Sequence, residues 1–264
     1  LETTLSALAM LLAVVLRRRD WAWSALPATW KTLSMLMMRL LSLALDGALH
    51  GRQQAVDEGQ AGLVLHRVLG EGAALHVHVD GANHTPESLC RLLNFATGRQ
   101  DLFYEALQIG NRADHWCHKI NPALFREMKK NGRASRNDAE RIWYSVANDG
   151  YDGGVDSSHY NSTRYHGINL HAFFTKGTVE FRLFNGTTHA GRIKAYVQFC
   201  LAMSAWAINC DHDNLHFRSI SGYTQQQKHD LMMRVLTKRL GMRGPEFKTA
   251  RLHLTSALAS LCPL

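Results

Sequence analysis

The sequence lacks most of the features that mark secreted and membrane-spanning proteins. Its 264 residues contain five prolines and five cysteines, and the cysteines are scattered without a CxxC pair. The apolar run from Leu5 to Leu16 is shorter than the roughly 20 residues of a membrane-spanning helix, and Arg17 follows it, whereas a secretory signal places its basic residues first. We therefore predict a cytoplasmic protein with free thiols and no association with a membrane.

Phosphate-binding loops of the common kinds are also missing. No P-loop and no GxGxxG motif occurs, so a nucleotide site would have to be built on the face of a sheet. The chain carries a net charge of +8, which suits a polyanionic partner such as a nucleotide or a nucleic acid without choosing between them. With 46% hydrophobic and 20% charged residues, the composition is that of a folded globular chain.

The character of the sequence changes near residue 66. Residues 1–66 are rich in Leu, Ala, Met and Trp in helix-like spacing and carry no chemical motif, so we predict a helical N-terminal segment there. Residues 67–264 combine short β-type runs, helix caps and many polar side chains, which predicts a separate catalytic domain. Strands and helices alternate without a regular βαβ order, which favours an α+β fold with an antiparallel sheet.

Helix signals in the second region are clear. Thr85 and Pro86 predict a cap and a first helical residue. We predict helices over about 85–96, 101–109, 137–147, 190–208 and 225–240, the fourth capped by Thr187 or Thr188, and an exposed loop over 149–163. The runs 164–170 and 178–184 predict an antiparallel pair of strands.

The strand predicted over 75–80 places polar side chains on one face. His76, His78 and Asp80 alternate with Leu75, Val77 and Val79. Burying two imidazoles beside a carboxylate against an apolar core is costly, so this face either lines a cleft or is an ordinary solvated surface. In a cleft, the three side chains could bind a metal ion or phosphate oxygens.

The later strand, residues 177–186, repeats this pattern. Val179, Phe181 and Leu183 are predicted to be buried, while Glu180 and Arg182 project with Thr178 from the other face. Either the two charges form a simple ion pair, or Glu180 binds a divalent cation and Arg182 binds a phosphate.

Other polar groups give weaker signals. Arg164 and Asn169 could form a clamp, or could belong to a surface strand. The HWCH segment at 115–118 lacks a second ligand pair, which argues against a zinc site. The basic residues around 129–136 fit a solvated loop or a phosphate-binding patch.

Three motifs in this order, LHVHVDGANHT, RYHGINL and GTVEFRLFNGTTHAGRIKAYVQF, resemble the amidoligase family of carboxylate-amine ligases. The resemblance covers about residues 70–240. It implies the fold of glutamine synthetase and glutamate-cysteine ligase, in which an antiparallel sheet curves into a half-barrel and binds ATP and Mg²⁺ or Mn²⁺ on its concave face. The implied reaction is ATP-dependent amide formation through an acyl-phosphate, with an amino acid, an amine or a peptide as substrate.

The resemblance also implies roles for individual residues. His76 and Glu180 match the metal site, and His76 and Arg182 match positions at the ATP phosphates, where Arg182 would stabilise the transferring phosphoryl group. Arg164 matches a further contact to the nucleotide. His78, Asp80 and Asn169 would lie on the substrate side.

One family feature is missing from the sequence. Family members normally begin with a strand that carries a Glu-x-Glu motif, whereas here Asp57-Glu58 lies in a polar stretch without strand character. An inactive chain is therefore one alternative. A nucleic-acid-binding protein using Tyr144, Tyr151 and Tyr160 is another, and a metal-dependent hydrolase using His76, His78 and Asp80 is a third.

Overall fold

The computed structural model describes residues 74–133, 135–147, 154–211 and 219–259. The predicted helical segment 1–66 lies outside these residues. In the described part, helices are combined with one antiparallel sheet of three strands, which confirms the α+β class. The strands are β1 (Ala74–Asp80), β2 (Ile168–Asn169) and β3 (Thr178–Asn185), in the spatial order β1-β3-β2.

The central strand β3 aligns its neighbours across the sheet. His78 of β1 and Asn169 of β2 are both register partners of Glu180. Between Val77 and Leu75 the register of β1 against β3 shifts by one residue, which is a β-bulge. As a result Leu75 pairs with Phe184, and the ring of Phe184 stacks on Tyr196 with the ring centroids 4.3 Å apart.

Eight α-helices accompany the sheet in the described residues. Their bounds are α1 Pro86–Thr97, α2 Gln100–Ala106, α3 Pro122–Asn131, α4 Arg136–Val146, α5 His171–Lys176, α6 Ala190–Asn209, α7 Gln225–Arg234 and α8 Lys248–Ala259. A π-helical turn, Val235–Arg239, continues α7, and short 3₁₀ helices lie at Gly110–Asp114, Ser162–Tyr165 and Pro245–Phe247.

The core lies between the apolar face of the sheet and the longest helix. Helix α6 packs against β1, α1 and α8, while α8 also contacts α2 and α7. Phe103 of α2 meets Phe199 of α6 edge to face, and Phe95 of α1 contacts Trp206. Since α6 covers the apolar face of β1, the opposite face of the strand is left to polar side chains.

Several local predictions are confirmed and others are wrong. Thr85 caps α1 and Pro86 is its first residue, as predicted, and Ser88 completes a capping box with Thr85. Helix α6 is capped by His189, whose side chain accepts from the backbone N–H of Arg192, and not by Thr187 or Thr188. The predicted pairing with β3 is reduced to two residues, because Ser162–Tyr165 forms a 3₁₀ helix and α5 fills the connection.

Two further observations concern compartment and membrane. No helix in the described residues combines the length and apolar character of a membrane-spanning segment. Four of the five cysteines lie in the described residues, and no disulfide joins any two of these four: Cys90, Cys117, Cys200 and Cys210.

Candidate active site on the polar face of the sheet

Side chains from all three strands meet on the polar face. His76 and His78 come from β1, Asn169 from β2, and Glu180 and Arg182 from β3. The two-residue period of the strands turns each of these groups toward the same side. The structure therefore brings together five of the seven residues that the sequence singles out.

The carboxylate of Glu180 is the centre of this cluster. Its Oε1 atom lies 3.0 Å from Nδ1 of His76, 3.1 Å from Nη1 of Arg182 and 3.6 Å from Nε2 of His78. Its Oε2 atom accepts a hydrogen bond of 2.5 Å from Nδ2 of Asn169. Side chains of β1 and Arg182 of β3 itself thus contact one oxygen of the carboxylate, and Asn169 of β2 holds the other.

Burial and charge oppose each other at Glu180. Burial alone would raise the pKa of this carboxyl, but the hydrogen bond from His76, the guanidinium of Arg182 and the amide of Asn169 together lower it to about 2. The carboxylate consequently stays charged throughout the physiological range. Burial lowers the pKa of His78, although Glu180 partly opposes this, so His78 favours its neutral form.

Arg182 is held from several directions. Its side-chain Nε donates to the carbonyl of Trp116 at 3.3 Å, and its backbone N–H donates to the carbonyl of Gly167 at 2.8 Å. Its own carbonyl accepts from Nη2 of Arg112 at 3.0 Å. The guanidinium also lies 5.6 Å from the ring centroid of Tyr165. A cation held in this way is preorganised to stabilise negative charge.

The two other predicted residues lie beside the cluster. A carboxylate oxygen of Asp80 accepts from the backbone N–H of Ala82 at 3.0 Å, so this side chain caps the turn after β1. Arg164 donates to the carbonyl of His159 at 2.6 Å, and its guanidinium lies 5.7 Å from the ring centroids of both Tyr160 and Tyr165. Arg164 and Arg182 therefore contact the same tyrosine ring.

Two further histidines belong to the packing of the fold. His84 is buried between α1 and α6, with Nδ1 at 2.9 Å from Ser88 Oγ and Nε2 at 2.7 Å from Ser204 Oγ. Burial lowers its pKa to about 4. His166 is buried against the ring of Trp143 and donates from Nδ1 to the carbonyl of Thr163.

Several residues that gave weaker sequence signals have packing contacts or hydrogen bonds within the fold. Cys117 is buried beside the hydroxyl of Tyr104, and no group of three or more metal-binding side chains occurs at the HWCH segment or elsewhere in the described residues. Arg136, from the basic cluster, stacks on Phe173. Tyr144 is buried and hydrogen-bonded to His171, which removes it from any stacking surface.

The donors around Glu180 can be compared with the ligands that Mg²⁺ uses in proteins. Mg²⁺ is commonly held by one or two carboxylates together with substrate phosphates and water. Glu180 supplies one permanently charged carboxylate, and His76 is the adjacent imidazole. A cage made from protein side chains alone is not formed in the part of the chain described here.

Residues 62–204 match the model of a family described as "Putative amidoligase enzyme". This match spans just over half of the chain and includes the three strands and the whole polar cluster. The chain belongs to this amidoligase family. No curated protein and no solved structure matches it in the corresponding searches.

The amidoligase match is shorter than the resemblance predicted from the motifs. It ends at residue 204, within α6, so α7 and α8 lie beyond the matched region. Sequence reasoning missed Arg112, Trp116 and Tyr165 as neighbours of the cluster. Tyr165 lies inside the RYHGINL motif, but no local pattern indicates that its ring contacts an arginine of β3.

Proposed function

We propose that this amidoligase is an ATP-dependent carboxylate-amine ligase that forms an amide bond through an acyl-phosphate. One observation carries the proposal: a buried, charged Glu180–Arg182 pair lies at the centre of a polar sheet face, flanked by His76 and Asn169. The family match supports a ligase-type reaction. An amino acid, an amine or a peptide is the proposed substrate class.

The proposed reaction has two steps. A carboxylate oxygen of the substrate attacks the γ-phosphorus of ATP, the bond to the bridging oxygen breaks, and ADP leaves. The amine then attacks the acyl carbon, phosphate departs with the C–O electron pair, and the amine loses one proton. Formation of the acyl-phosphate replaces a poor leaving group by a good one.

The chain's own residues supply positioning and charge. Phosphoryl transfer depends mainly on alignment and neutralisation of negative charge. Arg182, which is held by contacts with Trp116 and Arg112, would stabilise the transferring phosphoryl group. His76 would act on the ATP phosphates through the bound metal ion, and Arg164 would add a second positive charge for the nucleotide.

Substrate binding is assigned to the remaining polar groups. His78 is neutral and about two-fifths exposed, so its ring can bind a substrate group without forming a fixed charge. Asn169 links Glu180 to the edge of the sheet, and Asp80 lies at the end of β1. We assign His78, Asp80 and Asn169 to the side on which the carboxylate and the amine bind.

Mg²⁺ or Mn²⁺ completes the proposal. Glu180 and His76 would hold the ion together with the nucleotide phosphates, and the ion would supply additional neutralisation of negative charge. We further propose that the three strands are part of the curved half-barrel of the glutamine-synthetase-like fold, with the polar cluster on its concave face, and that the enzyme works in the cytoplasm.

The test is a coupled assay for nucleotide turnover. The purified chain is incubated with ATP, Mg²⁺ or Mn²⁺, amino acids and peptides, and release of ADP and phosphate is measured with mass spectrometry of the amide product. Release that requires both a carboxylate and an amine is the expected result. Glu180→Gln and Arg182→Lys should each lower kcat by at least about 100-fold, as expected for loss of preorganised charge.

A matched control separates chemistry from folding. Glu105→Gln makes the same substitution in an ion pair with Lys228 on other elements and should leave turnover unchanged. Circular dichroism must show that each variant is folded. Turnover without ATP, or full activity in both Glu180→Gln and Arg182→Lys, would contradict the proposed ligase site.

A further inference from the structure

Aromatic rings line one side of the polar cluster. Trp116 is 49% exposed although it is a large hydrophobic side chain, and its ring meets Tyr165 edge to face with the centroids 5.2 Å apart. Tyr160, which is 78% exposed, has its ring centroid 5.7 Å from the guanidinium of Arg164. Two of the four exposed large hydrophobic side chains in the described residues thus lie in the neighbourhood of Tyr165.

The same place carries concentrated positive charge. The guanidinium groups of Arg164 and Arg182 lie 5.7 Å and 5.6 Å from the centroid of the Tyr165 ring. Glu180 balances the charge of Arg182, whereas no carboxylate in the described residues lies within ion-pair distance of Arg164. Within the described residues, an exposed aromatic surface therefore adjoins an arginine that has no carboxylate partner there.

We propose that Trp116 is the nucleobase platform of this site and stacks on the base of ATP while Arg164 and Arg182 bind the phosphates. This inference rests on the proposed function and adds the place of the base. A ligand that offers a flat π-system and several negative charges in one molecule matches both features, and nucleoside triphosphates have that composition.

The geometry favours Trp116 over its aromatic neighbour. The ring of Tyr165 already contacts two guanidinium groups and the ring of Trp116, and Tyr165 is half-buried. Trp116 keeps about half of its surface open. Its backbone carbonyl accepts from Arg182 Nε, which connects the platform directly to the phosphate-binding arginine.

Because this connection is made by the backbone, a substitution of Trp116 can remove the ring without removing the contact to Arg182. Trp116→Ala removes the ring but keeps the carbonyl that accepts from Arg182, so stacking is lost while the arginine keeps its support. Trp116→Phe restores a smaller ring. Leu252→Ala removes another exposed hydrophobic side chain, 62% exposed and on α8, and serves as the control.

Binding is measured by isothermal titration calorimetry on the full 264-residue chain with Mg²⁺, using ATP and inorganic triphosphate as probes. Trp116→Ala should weaken ATP binding by about 5- to 100-fold, the range expected for loss of one stacked base. Triphosphate binding should change less than twofold, and Trp116→Phe should recover much of the ATP affinity. Leu252→Ala should bind both probes like the unaltered chain.

The possible outcomes distinguish failure of the Trp116 platform from failure of the proposed ligase function. If the unaltered chain binds ATP and Trp116→Ala binds it equally well, the platform is refuted while the proposed ligase function stands. If Trp116→Ala weakens the binding of ATP and of triphosphate to the same degree, the ring contributes to phosphate binding and not to stacking on the base. The platform is then again refuted. If the unaltered chain does not bind ATP, the proposed function fails and the platform falls with it.

Discussion

Replacement of Glu180 by Gln tests the electrostatic centre of the candidate site. The substitution keeps the size and shape of the side chain and removes its charge. Arg182 would then be a buried cation without a counter-ion, since only 6% of its side-chain surface is exposed. Breaking a buried ion pair by removing one partner is strongly destabilising.

The expected magnitude follows from the titration of Glu180. A carboxyl with a pKa of about 2 instead of the ordinary 4.5 is stabilised in its charged form by at most about 3 kcal/mol in the fold. Water reaches His76 and His78, whose side chains are 31% and 41% exposed, and this screening reduces the value to about 2 kcal/mol.

Urea denaturation followed by circular dichroism measures this loss as a change in the free energy of unfolding. Glu105→Gln is the matched control, because its more exposed pair with Lys228 should contribute less than about 1 kcal/mol. The folded pKa of Glu180 is lowered, so its contribution is complete above about pH 4.5 and is lost as the pH falls toward about 2.

The pH dependence supplies the decisive comparison. The difference in unfolding free energy between the unaltered chain and Glu180→Gln should shrink between pH 6 and pH 3. A loss at pH 7 no larger than that of Glu105→Gln, or a difference that stays constant with pH, would show that the cluster does not stabilise the charge of Glu180.

Three further predictions concern the fold around the site. The pKa of His84 is lowered to about 4, so stability should fall by about 2 kcal/mol between pH 7 and pH 5, and unfolding curves of His84→Gln should lack this loss. Gly177 has φ +75 and open space around it, so Gly177→Ala should lower the free energy of unfolding by about 1 kcal/mol. Gly81→Ala should lower the melting temperature more than Gly177→Ala does, because its Cβ would lie 2.6 Å from the Gly177 carbonyl oxygen. Thr85→Ala should cost about 1 kcal/mol by removing the capping box, and an unchanged melting temperature would contradict that assignment.

The two faces of the sheet could be predicted from the sequence because strands have a short, regular period. Alternation alone separated His76 and His78 from Val77 and Val79, and the structure places the two histidines beside Glu180. Helices with strong caps, such as α1, could equally be predicted from the sequence. Helix α3 was missed although Asn121 and Pro122 supply an N-cap and a first-turn proline, so the signal was present there.

Other features depend on contacts between distant parts of the chain. The ring of Tyr165 meets Trp116 and Arg182 only after folding, and no local pattern encodes that meeting. The short helix α5 occupies a connection whose six residues are compatible with a loop. The bulge in β3 is different, because the alternation of residue types breaks there at the consecutive apolar residues Leu183 and Phe184, so the sequence did carry a signal for the shift in pairing.

That bulge has a consequence for how chains of this family can change in length. Arg112 braces the strand at the shift by binding the Arg182 carbonyl and the side chain of Asn185. Deletion of one residue at the bulge would move the side chains at the end of β3 to the opposite face of the sheet. Phe184 would then point away from Tyr196. Relatives that lack the extra residue should therefore also lack an arginine at the position of Arg112. They should carry a small or polar side chain at the position of Phe184.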